Sequence, residues 1–155
     1  MIIACAVALT VLLLLVGATT TKVDAWYRDL RKPRWTPPNW LFGPAWTIIL
    51  ALACWSGVLL WSASSPEHRW RVGLAFGCNA VFHLIWSPVF FRLKRPDWAL
   101  LDVAFLWSSI IAMMLVAQPV STVALWLLAP YLLWVSYAAA LNLAIVKLNR
   151  AAQAS

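Results

Sequence analysis

The chain has 155 residues, 64% of them apolar and only 11% charged, and 12 are tryptophan. A soluble domain averages about 25% charged residues, so this composition excludes an ordinary globule and points to a polytopic membrane protein. The formal charge of +7 falls between and after apolar runs rather than along a soluble face, which argues against nucleic acid as a partner.

The pattern predicts an all-α membrane protein: one domain over 1–155, a bundle of five transmembrane helices, with a structured loop between the first two. The first span covers about 2–20, just enough for a hydrocarbon core of roughly 30 Å. No Lys or Arg precedes it, so the positive region of a signal peptide is missing and retention as a helix is expected. Gly17 and Thr19-Thr20-Thr21 should let its end fray. The stretch from Trp26 to Trp46 then crowds tryptophans, prolines and cations between two apolar runs. It is too aromatic for a linker and too charged for a core, and it reads as a lid.

Pro37 and Pro38 hold the chain extended, Asn39 is expected to cap the second span, and its helix should start at Trp40 and run to about 62. Pro44 lies in its first turn, where a missing donor costs little. Ser64-Ser65-Pro66-Glu67 has a capping-box pattern and predicts a third span over 66–91, bent by Pro88. Pro96-Asp97 opens a fourth over 97–117, and Gln118-Pro119 stops it. The fifth covers 122–148, with Pro130 expected as an interior kink. Cys5, Cys54 and Cys78 lie inside apolar runs without C-x-x-C spacing, and they read as small hydrophobes rather than disulfide or metal partners.

Of the 12 Lys and Arg, only Arg69 and Arg71 fall on the side opposite the first loop. The positive-inside rule therefore places the first loop and the C-terminus in the cytoplasm of a bacterium, in its inner membrane; an outer-membrane protein would escape the rule.

Lipid does not drive helices together, so polar and small residues at helical spacing mark inward faces. Asn79, His83 and Trp86 share one stripe, Trp98, Asp102, Phe105 and Ser109 a second, and Tyr131, Trp134, Ala138 and Asn142 a third. Trp46 stands one turn inside the second span. Trp46, Trp86 and Trp134 read as pocket lining over plain packing; Trp61, Trp70 and Trp126 read as interfacial anchors. Asp102, the one carboxylate inside a span, is expected to make a structural hydrogen bond to a neighbouring helix rather than to transfer protons. His83 is assigned an interhelical hydrogen bond over a metal or haem iron, because His68, its only fellow, sits near the opposite surface.

No Ser-His-Asp or Cys-His set, paired carboxylates or phosphate loop is present, so no firm catalytic residue, metal or required cofactor is assigned. What remains is an aromatic cavity with a rim of Arg28, Arg31, Lys32 and Arg34. Its natural guest is a large flat apolar molecule bearing carboxylates, a description that protoporphyrin and haem fit.

W-Y-R-D-L-R-K-P-R-W-T-P-P, G-P-A-W-T, W-S-P-V-F-F, W-A-L-L-D, and P-Y-L-L-W with A-A-A-L-N, in this order, resemble the TspO/MBR family of tryptophan-rich sensory and translocator proteins, the peripheral benzodiazepine receptor family. The resemblance implies a five-helix bundle, a homodimer, and a pocket for tetrapyrroles such as protoporphyrin IX or haem beneath the first loop. It also implies light-dependent porphyrin breakdown, with Trp46, Trp134 and Tyr27 matching the residues tied to that activity. The expected ligand contacts are Trp26, Tyr27, Trp35 and Trp40 from the loop and helix start, with Trp46, His83, Trp86 and Asp102. Tyr131, Trp134, Ala138 and Asn142 complete them from the fifth span. Two positions depart from the family: His83 replaces the usual Asn, and Leu143 replaces the Tyr of the sterol motif, so cholesterol is not carried over. The expected function is a membrane receptor or regulator that binds tetrapyrroles. The alternatives are an enzyme degrading porphyrin with light and oxygen, and a transporter, ranked lower because no internal repeat is present.

Overall fold

Long apolar runs punctuated by proline build a chain that is helical throughout the regular part of residues 2–153, which a computed structural model describes. The outermost positions of the single-domain reading, 1 and 154–155, lie outside them. The order is α1 (Ile2–Thr20), α2 (Ala25–Asp29), α3 (Asn39–Ala63), α4 (Arg69–Ser87), a π-helical turn (Pro88–Arg92), α5 (Pro96–Ala117), α6 (Thr122–Leu127) and α7 (Ala129–Gln153). Five segments are long and apolar enough to cross a membrane: α1, α3, α4 with its π turn, α5, and α6 with α7.

The bundle is organised around α5, which packs most extensively on α4 and α7. Ala99, Val103, Leu106, Ile110, Met113 and Ala117 return every three or four residues and are almost fully buried, as an inward helical stripe must be. α1 lies at the periphery with only Leu13 and Thr20 buried. Its end does not fray as expected: Thr20 and Thr21 hydroxyls both reach Ser87 Oγ at 2.9 Å, tying it to the end of α4. At the other end of the bundle, buried Ser56 donates to Ala124 O at 2.8 Å and joins α3 to α6.

Four predicted boundaries move, each for a local reason. Asn39 is already helical, so Pro38 is the N-cap, without a side-chain bond, and Asn39 Oδ1 accepts instead from Tyr27 Oη at 3.5 Å. The Ser64–Glu67 capping box does not open α4: the Ser64 N–H closes α3 onto Leu60 O, and Ser65 Oγ pairs with His68 Nδ1 at 2.8 Å. α4 therefore starts three residues late, at Arg69. Pro88 lacks a donor, and the ladder beyond it slips to Leu93 N–H→Pro88 O at 3.0 Å, a π turn, ended by Lys94 at φ 55°. Pro130 does not kink a helix interior, because the fifth span breaks at Leu128 and Pro130 falls in the first turn of α7, where proline is tolerated.

Gly57 is where α3 meets α4 closely: a Cβ there would stand 3.0 and 3.3 Å from ring atoms of Phe76. Gly57→Ala is expected to cost about 1–2 kcal/mol through overpacking. Gly17 and Gly43 have open space at the same position, so alanine there should be neutral or stabilising; melting curves of the three variants in detergent check the contrast.

Candidate functional site

The second turn of α3 aims Trp46 at the centre of the bundle. Its ring meets His83 of α4 edge-on at 4.8 Å between centroids, Tyr131 of α7 at 6.1 Å and Trp134 at 6.3 Å. Behind the rings lies a polar knot. Tyr131 Oη donates to Asn79 Oδ1 at 3.1 Å and stands 3.3 Å from His83 Nδ1, while Asn79 Nδ2 donates to Ser109 Oγ at 2.9 Å. Three helices are thereby joined through groups that would be costly to bury alone, and His83 makes the interhelical contact expected of it.

Toward the loop the aromatic wall continues. Trp134 packs on Phe42 at 5.9 Å and, tilted by 32°, on Tyr137 at 5.9 Å. Tyr137 Oη then donates to Trp35 O at 2.6 Å, with the Trp35 ring against its own at 5.5 Å. Tyr137 and Phe42 were not anticipated. Tyr137 stands three residues after Trp134, a spacing that puts both on one face, and that was the signal available.

A second aromatic nest anchors the start of the loop. Tyr27, buried, meets Phe91 at 5.4 Å and Phe90 at 6.4 Å; Trp26 lies on Phe90 at 6.0 Å, and Trp86 stacks on Phe90 at 5.3 Å. Burial raises the Tyr27 phenol above its ordinary value. Asp24 caps α2 by accepting from Tyr27 N–H at 3.0 Å and pairs with Lys94 Nζ at 3.3 Å. The Tyr27 N–H first, and then the Lys94 ammonium, hold its carboxyl below the ordinary 3.8. A depressed carboxylate stabilises the fold above its ordinary value and loses that contribution as pH falls through the lowered one, so this anchor is intact at neutral pH.

Of the four rim cations, Lys32 turns inward. Its ammonium bonds the carbonyls of Tyr27, Leu30 and Arg28 and lies 4.5 Å over the Tyr27 ring, capping the C-terminal end of α2. Burial lowers its proton affinity, opposed by Asp29. Arg28, Arg31 and Arg34 remain exposed. The Arg31 backbone is held at both its N–H and C=O by Asn149 of α7, at 3.1 and 3.0 Å.

The other expected site residues divide. Trp40 is 71% exposed on α3 and does not face the cluster. On the α5 stripe Asp102 and Ser109 are buried, but Trp98 and Phe105 are exposed. Asn142 is buried, yet with its amide turned so that both ends are satisfied it donates to Pro96 O at 3.1 Å and accepts from Leu100 N–H at 2.9 Å. It clamps the first turn of α5 instead of lining a pocket. Ala138 is half-buried. Trp70 and Trp126 are exposed as anchors should be, whereas Trp61 packs against the core. Asp102, only 8% exposed, does not make the expected helix-to-helix bond: its Oδ2 is buried without a partner, as are Trp86 Nε1 and Trp134 Nε1. Two unused donors and one unused carboxylate oxygen thus lie inside a bundle whose other buried side chains are well paired.

The sequence matches the TspO/MBR family over residues 3–148. It is 38% identical over 136 residues to "Tryptophan-rich protein TspO" of Chlorobaculum tepidum, covering 86% of each chain. To "Protein CrtK" of Rhodobacter capsulatus it is 34% identical over 126 residues, 81% of this chain and 79% of that one. To the human "Translocator protein" it is 32% identical over 127 residues, 80% and 75%. Matched over nearly its whole length and built with five apolar spans, the chain belongs to the TspO/MBR family.

Proposed function

We propose that this integral membrane protein is a receptor for tetrapyrroles of the protoporphyrin type, bound among Trp46, Trp86 and Trp134 beneath the loop between α1 and α3. The observation that carries the reading is that the indole N–H groups of Trp86 and Trp134 are buried without partners, each beside aromatic rings, while the loop carries three exposed arginines. A flat macrocycle presents π faces for the rings and acceptors for the indoles, and its carboxylates reach Arg28, Arg31 or Arg34 at the headgroup level. The cation-rich loop side is read as cytoplasmic, in a bacterial inner membrane. Titration with protoporphyrin is expected to quench tryptophan fluorescence saturably, and Trp46→Phe with Trp134→Phe to weaken the response. A linear, unsaturable response would overturn the reading.

The contact between Trp46 and Trp134 at 6.3 Å favours one further reading, light-dependent porphyrin oxidation, because both indoles are oxidisable and adjacent. Equal bleaching of illuminated porphyrin by the chain and by the double Phe variant would leave binding alone.

A further inference from the structure

We infer that the cleft between α1, α3 and α4 holds one acyl chain of a phospholipid from the leaflet opposite the first loop, with the lipid's phosphate on Arg69. The cleft has a volume of about 240 Å³, and its lining includes none of Trp46, Trp86 or Trp134. It runs from Ile2, Trp61 and Gly73 at its mouth to Leu13, Leu50 and Ala80, which pack together as its floor. The stretch of α1 from Ile2 to Leu13 rises about 16 Å at 1.5 Å per residue, close to half of the roughly 30 Å hydrocarbon core, or one leaflet. Cys5 and Leu9 on one lip and Gly73 and Gly77 on the other are exposed, so the cleft opens sideways to lipid between α1 and α4. A Cβ at Gly77 would meet nothing within 4 Å, and one at Gly73 only the Trp61 ring at 3.7 Å. The α4 wall is thus a smooth trough where a chain would lie.

The walls suit hydrocarbon and not a polar guest. Thr10 Oγ1 is spent on Ala6 O at 2.9 Å, and the Asn79 amide on Ser109 and Tyr131. Apolar space larger than the roughly 150 Å³ cavity that stays dry and takes up benzene takes a hydrocarbon rather than water. Within a bilayer a tail gains only dispersion contacts with a wall that would otherwise face a void, so selectivity falls to the headgroup, and the mouth of the cleft supplies it. Arg69 Nε donates to Trp61 O at 3.1 Å, and the guanidinium lies 5.8 Å from the Trp61 ring, which fixes its charge over a residue of the mouth. Its terminal nitrogens have no acceptor among the described residues. Glu67, the acid nearest in sequence, turns instead to Ser65 and His68. Arg71, the second cation of this side, lies 5.7 Å from the Trp70 ring. A phosphodiester is the anion that a membrane offers at this level, and a guanidinium fork binds it with two parallel hydrogen bonds.

The test needs no tetrapyrrole. The full chain is reconstituted in phosphatidylcholine vesicles with a small fraction of phosphatidylglycerol carrying a photoactivatable diazirine at mid-chain, then illuminated, digested and mapped by mass spectrometry. Cys5 and Leu9 line the cleft, whereas Val7 and Leu133 are exposed and lie outside it. Label is expected on the first two in about tenfold excess over the second two. Gly77→Leu, whose side chain enters the cleft, should remove that excess, and Arg69→Gln should cut it several-fold, with Val7 and Leu133 labelled as before in both. Equal labelling of all four positions, or an undiminished excess in folded Gly77→Leu or in Arg69→Gln, would overturn the site. If Gly77→Leu does not fold, the ratio in the unsubstituted chain and its response to Arg69→Gln decide. A bifunctional thiol reagent that joins Cys5 of two chains, with no lipid label in the cleft, would give this face to a second copy and overturn the site equally.

Discussion

Trp134→Phe is expected to act in opposite senses on stability and on binding. The indole Nε1 of Trp134 is buried without a partner, and an unpaired buried donor costs about 1–3 kcal/mol. Phenylalanine keeps a ring against Phe42, Trp46 and Tyr137 and removes that donor. Ligand-free stability should therefore change by less than about 1 kcal/mol, because relief of the unpaired group offsets the lost ring area. A bound macrocycle loses its hydrogen bond to the indole, and its dissociation constant should rise about tenfold, or 1.4 kcal/mol. Melting curves without ligand and quenching titrations with protoporphyrin, on one preparation, check both halves. A large loss of stability with unchanged affinity would make Trp134 plain packing.

Asn79→Leu should be the most damaging single change in the bundle's centre, at about 2–3 kcal/mol. The amide joins Ser109 of α5 to Tyr131 of α7, and leucine leaves the Ser109 lone pairs and the Tyr131 hydroxyl with fewer partners in a low-dielectric setting. Individual hydrogen bonds between membrane helices average only about 0.6 kcal/mol, so the size of the loss rests on both ends being stranded at once. Ser56→Ala, which removes one buried hydroxyl and its single bond to Ala124 O, should cost about 1 kcal/mol or less. Unfolding of the two variants in mixed detergent would rank them, and equal losses would contradict the knot's central role.

Hydropathy and proline spacing made the five spans legible, and helical periodicity placed Asn79, His83, Tyr131 and Trp134 on faces that meet. Features that depend on partners distant in sequence were not legible. Tyr137 reaches Trp35 and Asn149 reaches Arg31 across more than a hundred positions, and no local pattern announces either. Ser64–Glu67 misled because a capping box specifies what the backbone could accept, while the hydroxyl of Ser65 had a nearer partner in His68. Lys32 counted as a rim cation by charge alone; its reach to the end of α2 needed the turn of the loop. Asp102 illustrates the reverse case, since its burial was legible and its lack of a partner was not.

The loop is fastened at three places: Asp24 to Lys94, Arg31 to Asn149, and Trp35 to Tyr137. If the two hydrogen-bonded fastenings, Arg31 to Asn149 and Trp35 to Tyr137, contribute about 1 kcal/mol each and the exposed Asp24–Lys94 pair adds little, opening costs about 2 kcal/mol and the admitting form is about 3% of the population. Any guest of the aromatic cluster then meets a shut door in most encounters. Its arrival rate falls by that fraction below the collision limit, and its residence is timed by the loop rather than by the rings that hold it.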